Sequence, residues 1–67
     1  MNDPFLLRQA HLFAERIREA GGDPVSTAFR LALARSPKPE ERAAVATLDL
    51  DALAQVVLNL NEFLYLR

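Results

Sequence analysis

The side chains with catalytic potential are few. His11 is the single histidine, and Glu15 follows one helical turn later, so both lie on one face of a helix. Such a pair can share a proton or form one edge of a metal site. The chain, however, lacks the second histidine of a His-Glu-x-x-His motif and has no cysteine to complete a ligand set. The pair therefore reads as a solvated or hydrogen-bonded surface feature. Asp49 and Asp51 are two residues apart, a spacing that points them away from each other within a helix. One is expected to cap a helix, Asp49 by preference, and the other to lie in its first turn. Glu40 and Glu41 fall just after Pro39, where acids favour the positive end of a helix dipole.

Ser26 and Thr27 carry hydroxyls, but neither sits in a nucleophile-elbow sequence, and spacing assembles no triad around them. They are expected to hydrogen-bond within a first helical turn. Gly21-Gly22 lacks the Lys-Ser/Thr pair of a phosphate-binding loop and reads as a turn. These residues assign no catalytic site, metal site or cofactor, and the expectation is that the chain is not an enzyme.

Eight basic and nine acidic side chains give a net charge of -1, with no global attraction for nucleic acid or an anionic membrane. Arg30, Arg35, Lys38 and Arg42 could converge near the central linker on a phosphate. They come without a recognition helix or interleaved aromatic residues, so solvated surface and salt bridges to a protein partner are the expected roles, with no nucleic acid. The apolar runs are far shorter than the roughly 20 residues that span a bilayer, so no membrane insertion is expected. Phe5-Leu6-Leu7 is broken by Arg8 and lacks a basic region before it, so it does not read as a signal peptide.

The most distinctive local composition is Asn59-Leu60-Asn61-Glu62-Phe63-Leu64-Tyr65. Asn59 and Asn61 offer amides, and Phe63 and Tyr65 offer anchoring area worth about 1.5–3 kcal/mol each when well buried. These four are the candidate interaction or packing residues, closing the domain on itself or docking on a partner.

Four helical segments have to position these groups. The first runs from the Asp3-Pro4 cap to Ala20, with Leu6, Ala10, Phe13, Ile17 and Ala20 as its apolar stripe and Phe5 and Leu12 on the shoulder. The second starts at Asp23-Pro24, turns Val25, Ala28, Phe29, Ala32 and Leu33 inward and leaves Arg30 and Arg35 to solvent. It is expected to stop near Arg35 or Ser36, ahead of Pro37 and Pro39. The third opens at Pro39-Glu40-Glu41 behind Lys38, which has no capping acceptor, and offers Ala43, Ala44, Val45, Ala46 and Leu48 as apolar surface. A helix this short depends on tertiary contacts.

The fourth begins at Asp49, with Leu50, Leu53, Ala54, Val57, Leu58, Leu60 or Asn61, and Leu64 on its buried face. Residues 63–66 form a further turn or an extended tail. Short linkers make sequential helices neighbours, with the third and fourth read as a broken hairpin. The expected fold is all-α, a compact array of about four short helices forming a single domain over residues 1–67. Sixty-seven residues bury only about 60% of the unfolded surface, and no disulfide can compensate, so helix packing must supply the stability.

Three strings carry a family resemblance: Asn2-Asp3-Pro4-Phe5, Ala28-Phe29-Arg30-Leu31-Ala32-Leu33-Ala34-Arg35-Ser36-Pro37-Lys38-Pro39-Glu40-Glu41, and Leu58-Asn59-Leu60-Asn61-Glu62-Phe63-Leu64-Tyr65. In this order the chain resembles the C-terminal end of a large family of planctomycete proteins, the domain of unknown function number 1553, whose members often also contain a cytochrome-c-like region. The family pattern has a linker of the type Gly-Arg-Pro-Pro-Thr-Pro-Glu-Glu, for which Ala34 through Glu41 stand here, Lys38 replacing the capping threonine. Its ending is of the type Asn-Ser-Asn-Glu-Phe, with Leu60 here between the two asparagines, and the stretch from Glu41 to Asp49 is shorter than the pattern. The resemblance implies a terminal helical module of a larger, exported protein, without a catalytic assignment. Haem binding in that family belongs to a separate region, and no Cys-x-x-Cys-His sequence occurs here.

The functional expectation is therefore a noncatalytic helical structural or protein-interaction module, packing on a parent-protein domain or a protein partner. The alternatives are a small-ligand or enzymatic accessory domain, and an orphan gene fragment without independent function. A broad apolar patch left after the helices close would favour interaction, whereas a deep polar pocket joining His11, Glu15 and distant groups would favour chemistry.

Overall fold

Three aspartates set where helices begin. The computed structural model describes residues 3–65, with side chains as far as Asn61. The backbone forms α1 (Pro4–Ala20), α2 (Pro24–Leu33), α3 (Pro39–Val45) and α4 (Leu50–Tyr65), with no strand among the described residues. Asp3 Oδ1 accepts from the Phe5 amide at 3.0 Å and Asp23 Oδ1 from the Val25 amide at 3.3 Å, each followed by a first-turn proline. Asp49 Oδ1 accepts from the Ala52 amide at 2.8 Å and Asp51 lies in the first turn, as their spacing implied. Each cap satisfies an amide that would otherwise lack a partner, worth about 1 kcal/mol.

The α1–α2 turn is made by glycine. Gly21 has φ 75° and ψ -174°, a combination almost confined to glycine, and Gly22 has φ 72°. Thr27 is buried on α2, and its Oγ1 donates to the Gly21 carbonyl at 3.3 Å, fastening the turn to the next helix. The spacing of apolar residues did not pick out Thr27 as a core position.

Helix α2 ends at Leu33, short of the Arg35 or Ser36 boundary expected from the prolines. Ala34 has already left the helix at φ 58° and ψ 33°, with its amide donating to the Arg30 carbonyl at 3.1 Å. The turn therefore precedes Pro37 and is made by an alanine in the left-handed region, a conformation that costs an L-residue about 1–2 kcal/mol.

The core joins Ala10, Ala14 and Ile17 of α1, Ala28 and Phe29 of α2, Val45 of α3, and Leu53, Ala54 and Val57 of α4. Phe13, Val25, Ala32, Leu33, Leu50, Leu58 and Leu60 pack around it, partly buried. Helix α4 is the centre of the array, and its largest interface is with α1, the helix furthest from it in the chain, followed by that with α2. Sequential α1 and α2 are neighbours, as their short linker implies, whereas α3 packs little on either of its sequence neighbours. Alanines from α1, α2 and α4 (Ala10, Ala14, Ala28 and Ala54) are buried where these helices meet, and small side chains let helix axes approach closely. Ala14 had not been assigned to the stripe, whereas Ala20, which had, is exposed at the end of the helix.

Helix α3 contributes only Val45 to the buried core, leaving Ala43, Ala44, Ala46 and Leu48 exposed, and it packs little against α4. The expected α3–α4 hairpin does not form a close pair. At the far end, α4 stays helical through Tyr65, so the further turn is the form the backbone takes.

Candidate functional site

Three places bring chemically capable side chains together. The first lies across α1 and α4. His11 Nε2 is 3.9 Å from Glu15 Oε2, as the helical spacing predicts, and His11 Nδ1 is 3.5 Å from Asp51 Oδ1, which the sequence did not reveal. Glu15 Oε2 also accepts from Arg18 at 2.7 Å. All three members of the His11 cluster meet solvent, and none lines the α2–α3–α4 cleft or the α1–α4 groove described below. Among the described residues, no cluster of three or more histidine or carboxylate side chains could hold a metal ion. The geometry is that of a surface ionic cluster without the enclosure that substrate binding requires.

The second place is the linker. Arg35 makes a bidentate pair with Glu41, at 2.8 Å to Oε1 and 2.9 Å to Oε2, while its guanidinium lies 5.4 Å from the centre of the Phe29 ring. Glu41 Oε1 also accepts from the Lys38 amide at 2.8 Å, the reciprocal half of a capping box. The other half is missing, since a lysine ammonium cannot accept a hydrogen bond. Arg35 is exposed, as expected, and in addition links the end of α2 to α3 through Glu41.

Arg42 reaches back to the start of α2, where it pairs with Asp23 Oδ2 at 2.8 Å and donates to Ser26 Oγ at 2.7 Å. Ser26 in turn donates to Asp23 Oδ2 at 2.8 Å, the first-turn bond expected of it. Arg35 and Arg42 thus each carry an internal carboxylate partner, while Arg30 is exposed and stays apart from these pairs. No shared phosphate-facing convergence of these arginines is formed in the linker.

The pairings move the carboxylate titrations. Arg35, and after it the Lys38 amide, hold Glu41 down to about 2 from an ordinary 4.5. Hydrogen bonds from Ser26 and then Arg42 lower Asp23, and Glu41 raises Arg35. Because the folded-state value of Glu41 is depressed, its contribution to stability is complete above about pH 4.5 and is lost as pH falls through about 2. Glu41→Gln is accordingly expected to be less stable than the parent at pH 7, with the difference shrinking between pH 4.5 and 2. Urea midpoints across that range provide the measurement, and a difference that stays constant to pH 2 would refute the assignment.

The third place is apolar. An open cleft of about 550 Å³ lies between the start of α2, α3 and the start of α4, with Val25, Leu48, Leu50 and Leu53 among its lining and Asp23 and Arg42 at its rim. A smaller groove of about 350 Å³ runs between α1 and α4, lined by Gln9, Leu12, Phe13, Arg16 and Leu58. Leu12 is 51% exposed, and Phe5, two turns earlier on the same face, is 63% exposed.

Of the sequence candidates, Asn59 and Asn61 are both half-buried on α4. Phe63 and Tyr65 lie outside the residues whose side chains are described. No family model, curated protein or solved structure matches the chain.

Proposed function

We propose that this chain is a noncatalytic helical interaction module that packs against the rest of a larger protein or against a protein partner. The observation that carries the reading is the apolar strip on the outer face of α1, where Phe5 and Leu12 are 63% and 51% exposed and Leu12 leads into the groove shared with Leu58. Large side chains exposed in this arrangement, flanked by polar Gln9 and Arg16, favour burial by another polypeptide. The ionic cluster at His11 sits in the open, which suits a rim contact better than a reaction site.

The linker supports the terminal-module form of this proposal. Ala34 stands where the family-like pattern has glycine, and its backbone is left-handed, the conformation glycine favours. Glu41 makes the contact that the final glutamate of a Thr-Pro-Glu-Glu capping box would make. Both features support reading it as a diverged version of that linker.

The test is solution mass over a wide concentration range together with binding to the polypeptide encoded in frame upstream. Association that Leu12→Glu abolishes while the free energy of unfolding stays within about 0.5 kcal/mol of the parent is the expected result, since exposed substitutions have small effects on stability. A chain that stays monomeric and fails to bind the upstream polypeptide would overturn both packing roles.

A second reading, a small-ligand accessory domain, is favoured by the α2–α3–α4 cleft, whose 550 Å³ falls within the range of ligand pockets and whose apolar lining meets an Asp23–Arg42 rim. Amide shifts on adding small-molecule fragments separate the two readings. Changes confined to Val25 and Leu53 support the cleft, and changes around Leu12 support the docking strip.

A further inference from the structure

We infer that α3 is a strap that opens from the α1–α2–α4 core as a unit of its own, held shut by two guanidinium–carboxylate latches to α2. The case begins with what α3 lacks. It has seven residues, too few for an isolated helix to persist in water. Only Val45 joins the buried core, whereas α1, α2 and α4 supply all its other members and pack against one another. Removing α3 would therefore uncover the core locally and leave the three-helix assembly with most of its mutual contacts.

The latches sit on consecutive residues of α3 and reach opposite ends of α2. Glu41 takes Arg35, just past the C-terminus of α2, in a bidentate pair at 2.8 and 2.9 Å. Arg42 takes Asp23 at 2.8 Å and Ser26 at 2.7 Å, at the N-terminus of α2. Together they tie α3 to both ends of α2. The latch side chains are 24–46% exposed, so water can replace either partner when α3 lifts. Both flanks of the strap are irregular, over 34–38 and 46–49, and Ala34 bends the first flank in the left-handed conformation.

Opening would also remake the α2–α3–α4 cleft. Arg42 on α3 and Ala46 and Leu48 just beyond it form one wall, whereas Val25, Leu50 and Leu53 belong to elements that stay in place. The strap thus controls how much of this apolar floor meets solvent. Local openings of this kind draw on regions with few buried contacts and exposed links.

Native-state hydrogen exchange on the full chain, followed residue by residue with NMR, tests the inference. The α3 amides from Arg42 to Val45 should exchange through an opening that low urea barely affects. Leu53 and Val57 should exchange through a urea-dependent global opening. Asp23→Asn with Glu41→Gln removes a charge from each latch while asparagine keeps a competent α2 cap. Each change should raise the α3 opening constant about 2–5-fold, as expected for partly exposed ion pairs. The combined variant should speed α3 exchange by about 4–25-fold, and because the latches are also lost on global unfolding, Leu53 and Val57 should speed by no more than the same factor, with α3 still opening at the lower free energy. The inference is overturned if α3 amides in the parent share the exchange free energy and urea dependence of Leu53 and Val57. It also fails if the double variant leaves α3 exchange unchanged. Neither measurement involves the α1 strip, so the outcome is separate from that of the docking proposal.

Discussion

Phe29→Ala is expected to leave the chain predominantly unfolded, or at the edge of unfolding, at 25 °C. Phe29 is fully buried, the largest of the wholly buried side chains among the described residues, and it belongs to the core cluster that α1 and α4 complete. Truncating a buried phenylalanine costs about 3–5 kcal/mol, from lost transfer energy and from the cavity that remains. Loss of the ring beneath the Arg35 guanidinium removes that contact as well. A chain of this length has a total stability of only about 3–10 kcal/mol, so the substitution consumes most or all of it. Far-UV circular dichroism with urea titration supplies the measurement, and Phe29→Leu, which keeps most of the volume, should retain a cooperative transition. A cooperative Phe29→Ala transition within about 1 kcal/mol of the parent would mean that the core is not organised around this ring.

What could be read from the sequence was local. Asp3, Asp23 and Asp49 announce helix starts because a capping carboxylate bonds an amide two or three residues away in the same chain. The apolar stripes of α2 and α4 follow from periodicity for the same reason. Ala14 escaped because an alanine matches either face of a helix, and only the close approach of α4 assigns it to the inside. Thr27 escaped because its burial depends on a carbonyl in the preceding turn.

The candidate site shows the same division more sharply. His11 with Glu15 was legible as a one-turn pair, whereas Asp51 reaches the imidazole only once α4 crosses α1. The Asp23–Arg42 and Arg35–Glu41 pairs depend on the path of the linker, and that path turns on Ala34, whose residue type gives no sign of a left-handed backbone. The third helix reads from the sequence as the weak part of the architecture because Lys38 cannot cap it. The compensation supplied by Arg35 and Glu41 required the folded geometry.

That weakness leads to the second large effect, a stabilising one. Ala34→Gly should relieve the left-handed alanine, recovering about 1–2 kcal/mol of steric cost in the folded state, less about 0.4–1 kcal/mol for the added freedom of the unfolded chain. Lys38→Thr should place a hydroxyl acceptor where the Glu41 amide has no side-chain cap, completing the box that the Glu41 carboxylate already closes from its side, for about 1 kcal/mol. The two changes act at opposite ends of one linker and share no hydrogen bond, so they should add to about 1–2 kcal/mol. For a domain of this size that raises the melting temperature by roughly 5–15 °C. Thermal denaturation of the parent, both single variants and the pair provides the measurement. If Ala34→Gly lowers the midpoint, the left-handed turn at Ala34 is wrong. If Lys38→Thr does nothing, α3 does not limit stability through its cap, and the Arg35–Glu41 pair with the buried Val45 carries that helix unaided.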